Sequence, residues 1–424
     1  MVGFLRGFPK HFHMNTQTMP ARAKTVTAGI EPYTIFVSPF SIEDLRERLG
    51  RARWPDEIEG SGWQYGANKK YLEELCTHWG HGFDWKEQED QLNALHHYCA
   101  KIDDFNLHFI HEKGEGERRV PLLLIHGWPD SFARFLKVIP LLTKRGTDGF
   151  SFDVVVPSIP GFGFSERPVK PGMDVTRIAK LFAGLMNKLG YDKYFVHGGD
   201  WGSCIGEQLA RSFPHRVSGL HFTDVPFTHG LQLKGLQLSD DERAYFQRVQ
   251  QWQQQEGAYG GLQSTKPQTL AYAINDSPIG LAAWIIDKFY AWSDHNGNLE
   301  EIYTRDELLV NLTIYWVTQT AGSSFRLYYE MMHHPLKQAK EKLAIPTAIC
   351  VAPKDARPPR EYAERFFNVR QWTELPAGGH FLAMEKPEAL AEDIFRFAGL
   401  PFLFIRAGAI AAGDRNVQQP EEDA

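Results

Sequence analysis

The feature that most restricts how this chain can fold is the segment VPLLLIHG, residues 120–127, an unbroken apolar run that ends in glycine. A strand with one face in water alternates apolar and polar residues. A continuous run instead implies burial on both faces, as in a parallel sheet covered by helices. From this point the patterns alternate. SFARFLKVIPLLTK reads as a helix, FDVVVPSI as a strand, VTRIAKLFAGLMNKLG as a helix, KYFVHGGD as a strand, WGSCIGEQLARSF as a helix and VSGLHFTD as a strand. Such alternation predicts an α/β fold with a mostly parallel open sheet. Between residues 226 and 343 the alternation stops, and a stretch of helical pattern follows that holds Trp252, Trp284, Trp292 and Trp316. The rhythm then returns with PTAICVAPKD, REYAERFF, VRQWTELP and PEALAEDIFRFAGL. A helical block set between two halves of a sheet is expected to form a lid over the C-terminal strand edge, where open α/β sheets bind ligands.

Ahead of the run, YTIFV and FNLHFIHE read as strands, while YLEELCTHW and DWKEQEDQLNALHHY continue a helical pattern. Ser41, followed by Asp44, reads as the N-cap of the helix IEDLRERL. With 46 basic against 52 acidic residues the net charge is -6, which argues against nucleic acid as a main partner. The cysteines Cys76, Cys99, Cys204 and Cys350 form no CxxC pair, so neither a disulfide framework nor a zinc site is expected, and a reducing, cytoplasmic setting follows. No stretch of about 18 apolar residues exists to span a membrane, and the N-terminus lacks a signal-peptide core.

Three segments carry candidate chemistry. In HGGDWGS, residues 197–203, a strand runs into a helix through Asp200 with small residues on both sides. This is the pattern of a nucleophile elbow, a strained turn that exposes one side chain, here a carboxylate. The alternative is that Asp200 only caps the helix starting at Trp201. In LLLIHGWPDS the strand ends at a loop suited to aim the Trp128 N–H into the same place, where it and the N–H of Trp201 would form an oxyanion hole. The alternative there is a plain tight turn, and His126 reads as structural. Late in the chain, VAPKDARPP places Asp355 after one strand and LPAGGHFLAMEKPE places His380 after the next. Nucleophile, acid and histidine in the order Asp200, Asp355, His380 is the order of the α/β-hydrolase triad.

Through HGWP, GGDWGS and GGHFLAMEKPE the chain resembles the epoxide hydrolases of the α/β-hydrolase superfamily, of the microsomal type with its fungal and bacterial relatives. By composition residues 1–28 read as a flexible leader and 406–424 as a flexible, polar tail, and the resemblance implies an N-terminal wrapping region (29–115) and a helical cap (226–343) between two core segments (116–225 and 344–405). It also implies a cis peptide at Trp128–Pro129. Two cap tyrosines are expected to donate protons. QEGAY offers Tyr259 as the first, and SSFRLYYE offers Tyr328 as the second, with Tyr329 beside it. The implied reaction converts an epoxide and water to a vicinal diol through an ester on Asp200, hydrolysed by water that His380 activates, with no metal or organic cofactor. The membrane-bound members' apolar anchor has no counterpart here, and a homodimer is consistent with the resemblance. Two competing functions are a haloalkane dehalogenase, which shares the fold and an Asp-Trp elbow, and a binding protein on an inactive scaffold.

Overall fold

The run at Leu122 lies in the middle of a parallel sheet, with β4 (Arg119–Ile125) between parallel neighbours β5 (Ser151–Pro157) and β6 (Tyr194–Gly198). The computed structural model describes residues 29–400 apart from 145, 147–148, 233–236 and 337–340, and the expected leader and tail lie outside the described residues. Leu122, Leu123, Leu124 and Ile125 are all fully buried, because helices cover both faces of the strand. Among the described residues, β6 is followed by β7 (Val217–Phe222), β8 (Leu343–Val351) and β9 (Phe367–Glu374), each parallel to the one before. On the other flank β1 (Ile30–Tyr33), β2 (His97–Ile102) and β3 (Phe105–Glu112) form an antiparallel wing that joins the sheet through β3 and β5. The described sheet thus runs β1-β2-β3-β5-β4-β6-β7-β8-β9.

The helices fall into groups along the chain. α1 (Pro39–Gly50), α2 (Lys69–His81) and α3 (Trp85–Leu92) lie between β1 and β2. α4 (Ile139–Thr143), α5 (Val175–Lys188) and α6 (Trp201–Ser212) connect the central strands. α7 (Asp240–Glu256), α8 (Ala258–Thr265), α9 (Pro267–Asp276), α10 (Pro278–Trp292), α11 (Arg305–Thr318) and α12 (Ala321–His333) fill the interval between β7 and β8. α13 (Arg360–Phe366), α14 (Leu382–Glu385) and α15 (Pro387–Ala398) follow β8. α2 packs on α10 and α11, and two bonds tie it there: Trp79 Nε1 donates to Thr313 Oγ1 at 2.9 Å, and His78 Nε2 lies 2.7 Å from Asp306. No helix of the described residues is long and apolar enough to cross a membrane.

Four local expectations change. Strand β1 stops at Tyr33, and the TIFV part of YTIFV is no strand: Ile35 exchanges two bonds with the Asn93 side chain, and Val37 N–H donates to Glu89 at 2.7 Å, so side chains of the α3 region satisfy this backbone. The helical reading through His96–His97 ends early at Leu92, because His97–Ile102 pairs on both edges, with β1 and with β3. Ser41 does not cap α1. The helix begins two residues earlier at Pro39, whose fixed φ suits a first helical position, and Ser38 takes the cap position without a side-chain bond. SFARFLKVIPLLTK splits into a short 3₁₀ turn, Phe132–Phe135, and α4. Pro140 causes the break, since it lacks an N–H and its ring would meet the carbonyl four residues back.

The turn from β6 into α6 is crowded. A Cβ on Gly202 would lie 2.1 Å from the backbone carbonyl oxygen of Ile125, so β4 and α6 approach closely only because this residue has no side chain. Gly202→Ala is therefore expected to destabilise the fold by about 3 kcal/mol, the upper range for overpacking. The shift of the urea midpoint measures it, and a change within error would show that the helix can move away freely.

Candidate active site

Asp200 occupies the turn between β6 and α6 with φ 56° and ψ -128°. A non-glycine residue in that region costs about 1–3 kcal/mol and persists only where its surroundings over-determine it. Several contacts do so here. Its N–H donates to Asp224 Oδ2 at 2.7 Å, and its carbonyl accepts from Ser203 Oγ at 2.8 Å. Its carboxylate makes no bond to cap α6. Instead Oδ1 accepts the Trp128 N–H at 2.9 Å, so the helix-cap alternative is not what the geometry shows. The loop that presents this N–H has Trp128–Pro129 cis. Burial raises the Asp200 carboxyl above its ordinary range, while the His380 charge and the N–H groups of Trp128 and Trp201 oppose the rise.

The other carboxylate oxygen faces His380. Asp200 Oδ2 lies 3.9 Å from His380 Nε2, and that nitrogen has no hydrogen-bond partner. On the far side of the ring, Nδ1 lies 3.3 Å from Asp355 Oδ2. Asp355 sits in the turn after β8 and His380 in the loop after β9, so the parallel order of the strands brings distant segments to one sheet edge. Burial acts to lower the imidazole pKa, but the Asp355 charge and hydrogen bond outweigh it and raise the value to about 9. Burial likewise acts to raise Asp355, and the charge of His380 overrides it, leaving that carboxyl below its usual range. The main chain of His380 is fixed at both ends: its N–H donates to the Trp292 carbonyl at 2.9 Å, and its carbonyl accepts from Arg134 Nη2.

The two expected tyrosines converge on the same place from α8 and α12. Tyr259 stacks parallel on the Trp128 indole, with centroids 4.9 Å apart and planes 7° apart. Tyr328 meets the Trp201 indole edge-on at 4.7 Å and the Tyr259 ring at 6.0 Å. Tyr329 is 38% exposed and stacks on His333, so the structure brings Tyr328, and not its neighbour, into the cluster. Burial raises both phenols above their ordinary pKa, and the nearby Asp200 charge adds to it. They stay protonated across the working pH range.

Sequence reasoning passed over several side chains that the fold places here. Asp224, two residues past β7, is pushed up to about 7 by burial; as a carboxylate at a strand end it carried the same signal as Asp200 and Asp355. Trp292 lies 5.2 Å from both the Tyr259 and His380 rings. Lys288 hangs 5.6 Å over the Tyr259 ring and pairs with Glu256 at 3.0 Å and Asp287 at 2.7 Å. Its signal was a lone cation inside the otherwise mostly apolar PIGLAAWIIDKFYAW. His126 takes no part in the reacting set: its Nε2 accepts the Ile159 N–H at 3.1 Å, and burial lowers its pKa to about 4. Among the described residues no group of His, Cys, Asp or Glu is arranged to hold a metal ion.

Comparison with known proteins gives the family and the fold. Residues 30–135 match the family described as "Epoxide hydrolase N terminus", and residues 120–270 match the alpha/beta hydrolase fold. Epoxide hydrolase 1 of Oryctolagus cuniculus is 36% identical over 408 residues, covering 88% of this chain and 89% of its own. The crystal structure of juvenile hormone epoxide hydrolase from the silkworm Bombyx mori superimposes with a TM-score of 0.76 at 32% identity, covering 87% of this chain and 93% of its own. The Aspergillus niger epoxide hydrolase structure gives a TM-score of 0.77 at 26% identity, covering 88% and 96%. By identity, coverage and fold together, this chain belongs to the epoxide hydrolase family and has the α/β-hydrolase fold.

Proposed function

We propose that this epoxide hydrolase works in two covalent half-reactions, with Asp200 as the nucleophile. The observation that carries the reading is the position of one carboxylate, bonded on Oδ1 by the Trp128 N–H and facing on Oδ2 an imidazole nitrogen without a partner at 3.9 Å. In the first step a carboxylate oxygen attacks a ring carbon of the epoxide, and the bond from that carbon to the ring oxygen breaks. Alkoxide is a poor leaving group, so Tyr259 and Tyr328 hydrogen-bond to the ring oxygen and one of them supplies the proton. The product is a hydroxyalkyl ester on Asp200.

The second step turns on charge. In the free enzyme the Asp200 anion helps to hold a proton on His380. Esterification removes that anion, and the proton affinity of the imidazole falls, so its proton passes by way of solvent to the phenolate left by the first step and Nε2 is free to act as base. His380 then takes a proton from water as the water oxygen adds to the ester carbonyl. The Trp128 and Trp201 N–H groups hold the resulting oxyanion. Collapse passes the remaining carboxyl proton to the departing oxygen, releases the diol and restores the Asp200 carboxylate, whose charge again helps to hold the proton that His380 took from water. The apolar rings of Trp128, Trp292, Tyr259 and Tyr328 around this point favour bulky apolar or aryl epoxides. A halide would leave without a proton, so the paired phenols argue against the dehalogenase reading.

One turnover in water labelled with heavy oxygen tests the covalent route. Label is expected in the Asp200 carboxylate after the first cycle and in the diol only on later cycles; label in the first diol would mean direct attack by water. His380→Gln is expected to accumulate the ester, seen as a protein mass increased by one substrate, and saturating epoxide with no adduct would remove His380 as the hydrolytic base. Tyr259→Phe and Tyr328→Phe are each expected to raise the alkylation barrier by about 2–3 kcal/mol, roughly 30- to 160-fold in rate. Pre-steady-state ester formation measures this, and an unaffected rate would take that phenol out of the step.

A further inference from the structure

The loop that presents the Trp128 N–H and the loop that presents His380 are joined beneath the site by one buried ion pair. Asp130 and Arg134 are 1% and 4% exposed. Asp130 Oδ1 accepts the Gly127 N–H at 3.0 Å, which pins the backbone one residue before Trp128. Its other oxygen, Oδ2, lies 2.9 Å from Arg134 Nη1. The second arm of the same guanidinium, Nη2, donates to the carbonyl of His380. The guanidinium also lies over the ring of Phe381, with Cζ 5.6 Å from the centroid. The bridge continues into the cap helices, since Tyr315 OH donates to the Asp130 carbonyl at 2.8 Å and Asn311 Nδ2 to the Pro129 carbonyl at 2.9 Å.

Two charges removed from water are a weak source of stability, because desolvation offsets their attraction. Their value here is geometric. A planar guanidinium with its charge spread over two arms can face the Asp130 carboxylate with Nη1, as a contact of charges without a hydrogen bond, and donate to the His380 carbonyl with Nη2 at once, which an ammonium cannot do in the same fixed geometry. We propose that the Asp130–Arg134 pair is a positioning device for the hydrolytic half-reaction, fixing the Trp128 N–H and the His380 imidazole relative to each other across Asp200. The inference rests on the two-step reading above. Alkylation draws on Asp200 and on tyrosines from α8 and α12, none of which the bridge holds directly. Ester hydrolysis needs His380 and the Trp128 N–H together, and a misplacement of about 1 Å can cost about 10²-fold. The positive charge of Arg134 also opposes the imidazolium form of His380, against Asp355 and Asp200, which favour it, and with Glu385 packed nearby.

The experiment uses the full chain and an aryl epoxide, with Asp130→Asn/Arg134→Met as the main variant. Both charges are removed together, so neither is left buried and uncompensated, and the amide that replaces the Asp130 carboxylate can still accept the Gly127 N–H. In a two-step covalent mechanism kcat/KM reports alkylation, while a slow hydrolysis limits kcat. The double variant is expected to show kcat and KM falling together by at least about tenfold. Its kcat/KM falls much less, and the ester becomes visible by mass spectrometry at steady state. Arg134→Lys is expected to show the same split to a smaller degree, and it decides the matter if the double variant does not fold. Equal losses in kcat and kcat/KM, or an unchanged kcat, in a folded variant would overturn the proposal. If the wild-type enzyme forms no ester, the covalent reading itself fails, which is a separate result.

Discussion

The strained backbone at Asp200 is the constraint on which the rest of the site depends. A residue held at φ 56° by β6 on one side and α6 on the other projects its side chain out of the strand-to-helix turn. The neighbours are shaped around it. A Cβ on Gly127 would lie 2.5 Å from Asp200 Oδ1, so the Asp200 carboxylate occupies the space a side chain there would take. Because Gly127 is bare, the backbone next to it comes within hydrogen-bond reach of the carboxylate, and the Trp128 N–H binds Oδ1 at 2.9 Å.

Around that turn the electrostatics are uneven in a useful way. Asp200, Asp224 and Asp355 are all deeply set carboxylates, yet their proton affinities diverge. Burial governs Asp200 and Asp224 and raises both, whereas the contact with His380 governs Asp355 and lowers it. Separation of this kind assigns roles by environment rather than by residue type. Asp355 stays ionised beside the imidazole, and Asp200 is the carboxylate whose charge the protein has less means to stabilise.

The helices between β7 and β8 contribute phenols, and the segments just after β4 and β6 contribute the indoles against which they stack. Tyr259 on Trp128 and Tyr328 on Trp201 place each phenol against the side chain of a residue whose N–H faces the Asp200 carboxylate. The N-terminal helices steady this arrangement from outside, since α2 is bonded to α11 through Trp79 and Thr313. Segments far apart in sequence therefore converge on one aromatic cluster.

The sequence by itself determined the α/β class, through the apolar run of β4 and the alternation after it, because burial on both faces leaves a pattern that needs no partner to be read. It also marked the tight turn at Asp200 through the flanking glycines, and it placed Asp355 and His380 after successive strands. The tyrosines were legible only through resemblance to a family, since one phenol among fifteen looks like another. Tertiary structure alone decided between Tyr328 and Tyr329, because helical phase against Trp201 sends one ring inward and the other to solvent. It alone revealed β2, where pairing on both edges overrode a helical pattern, and the break in the helix before Pro140. Asp224 at a strand end and Lys288 in an apolar helix left only a faint trace, and the Asp130–Arg134 bridge left none, for a charged residue in a sequence reads as surface until the fold shows which partner is buried with it.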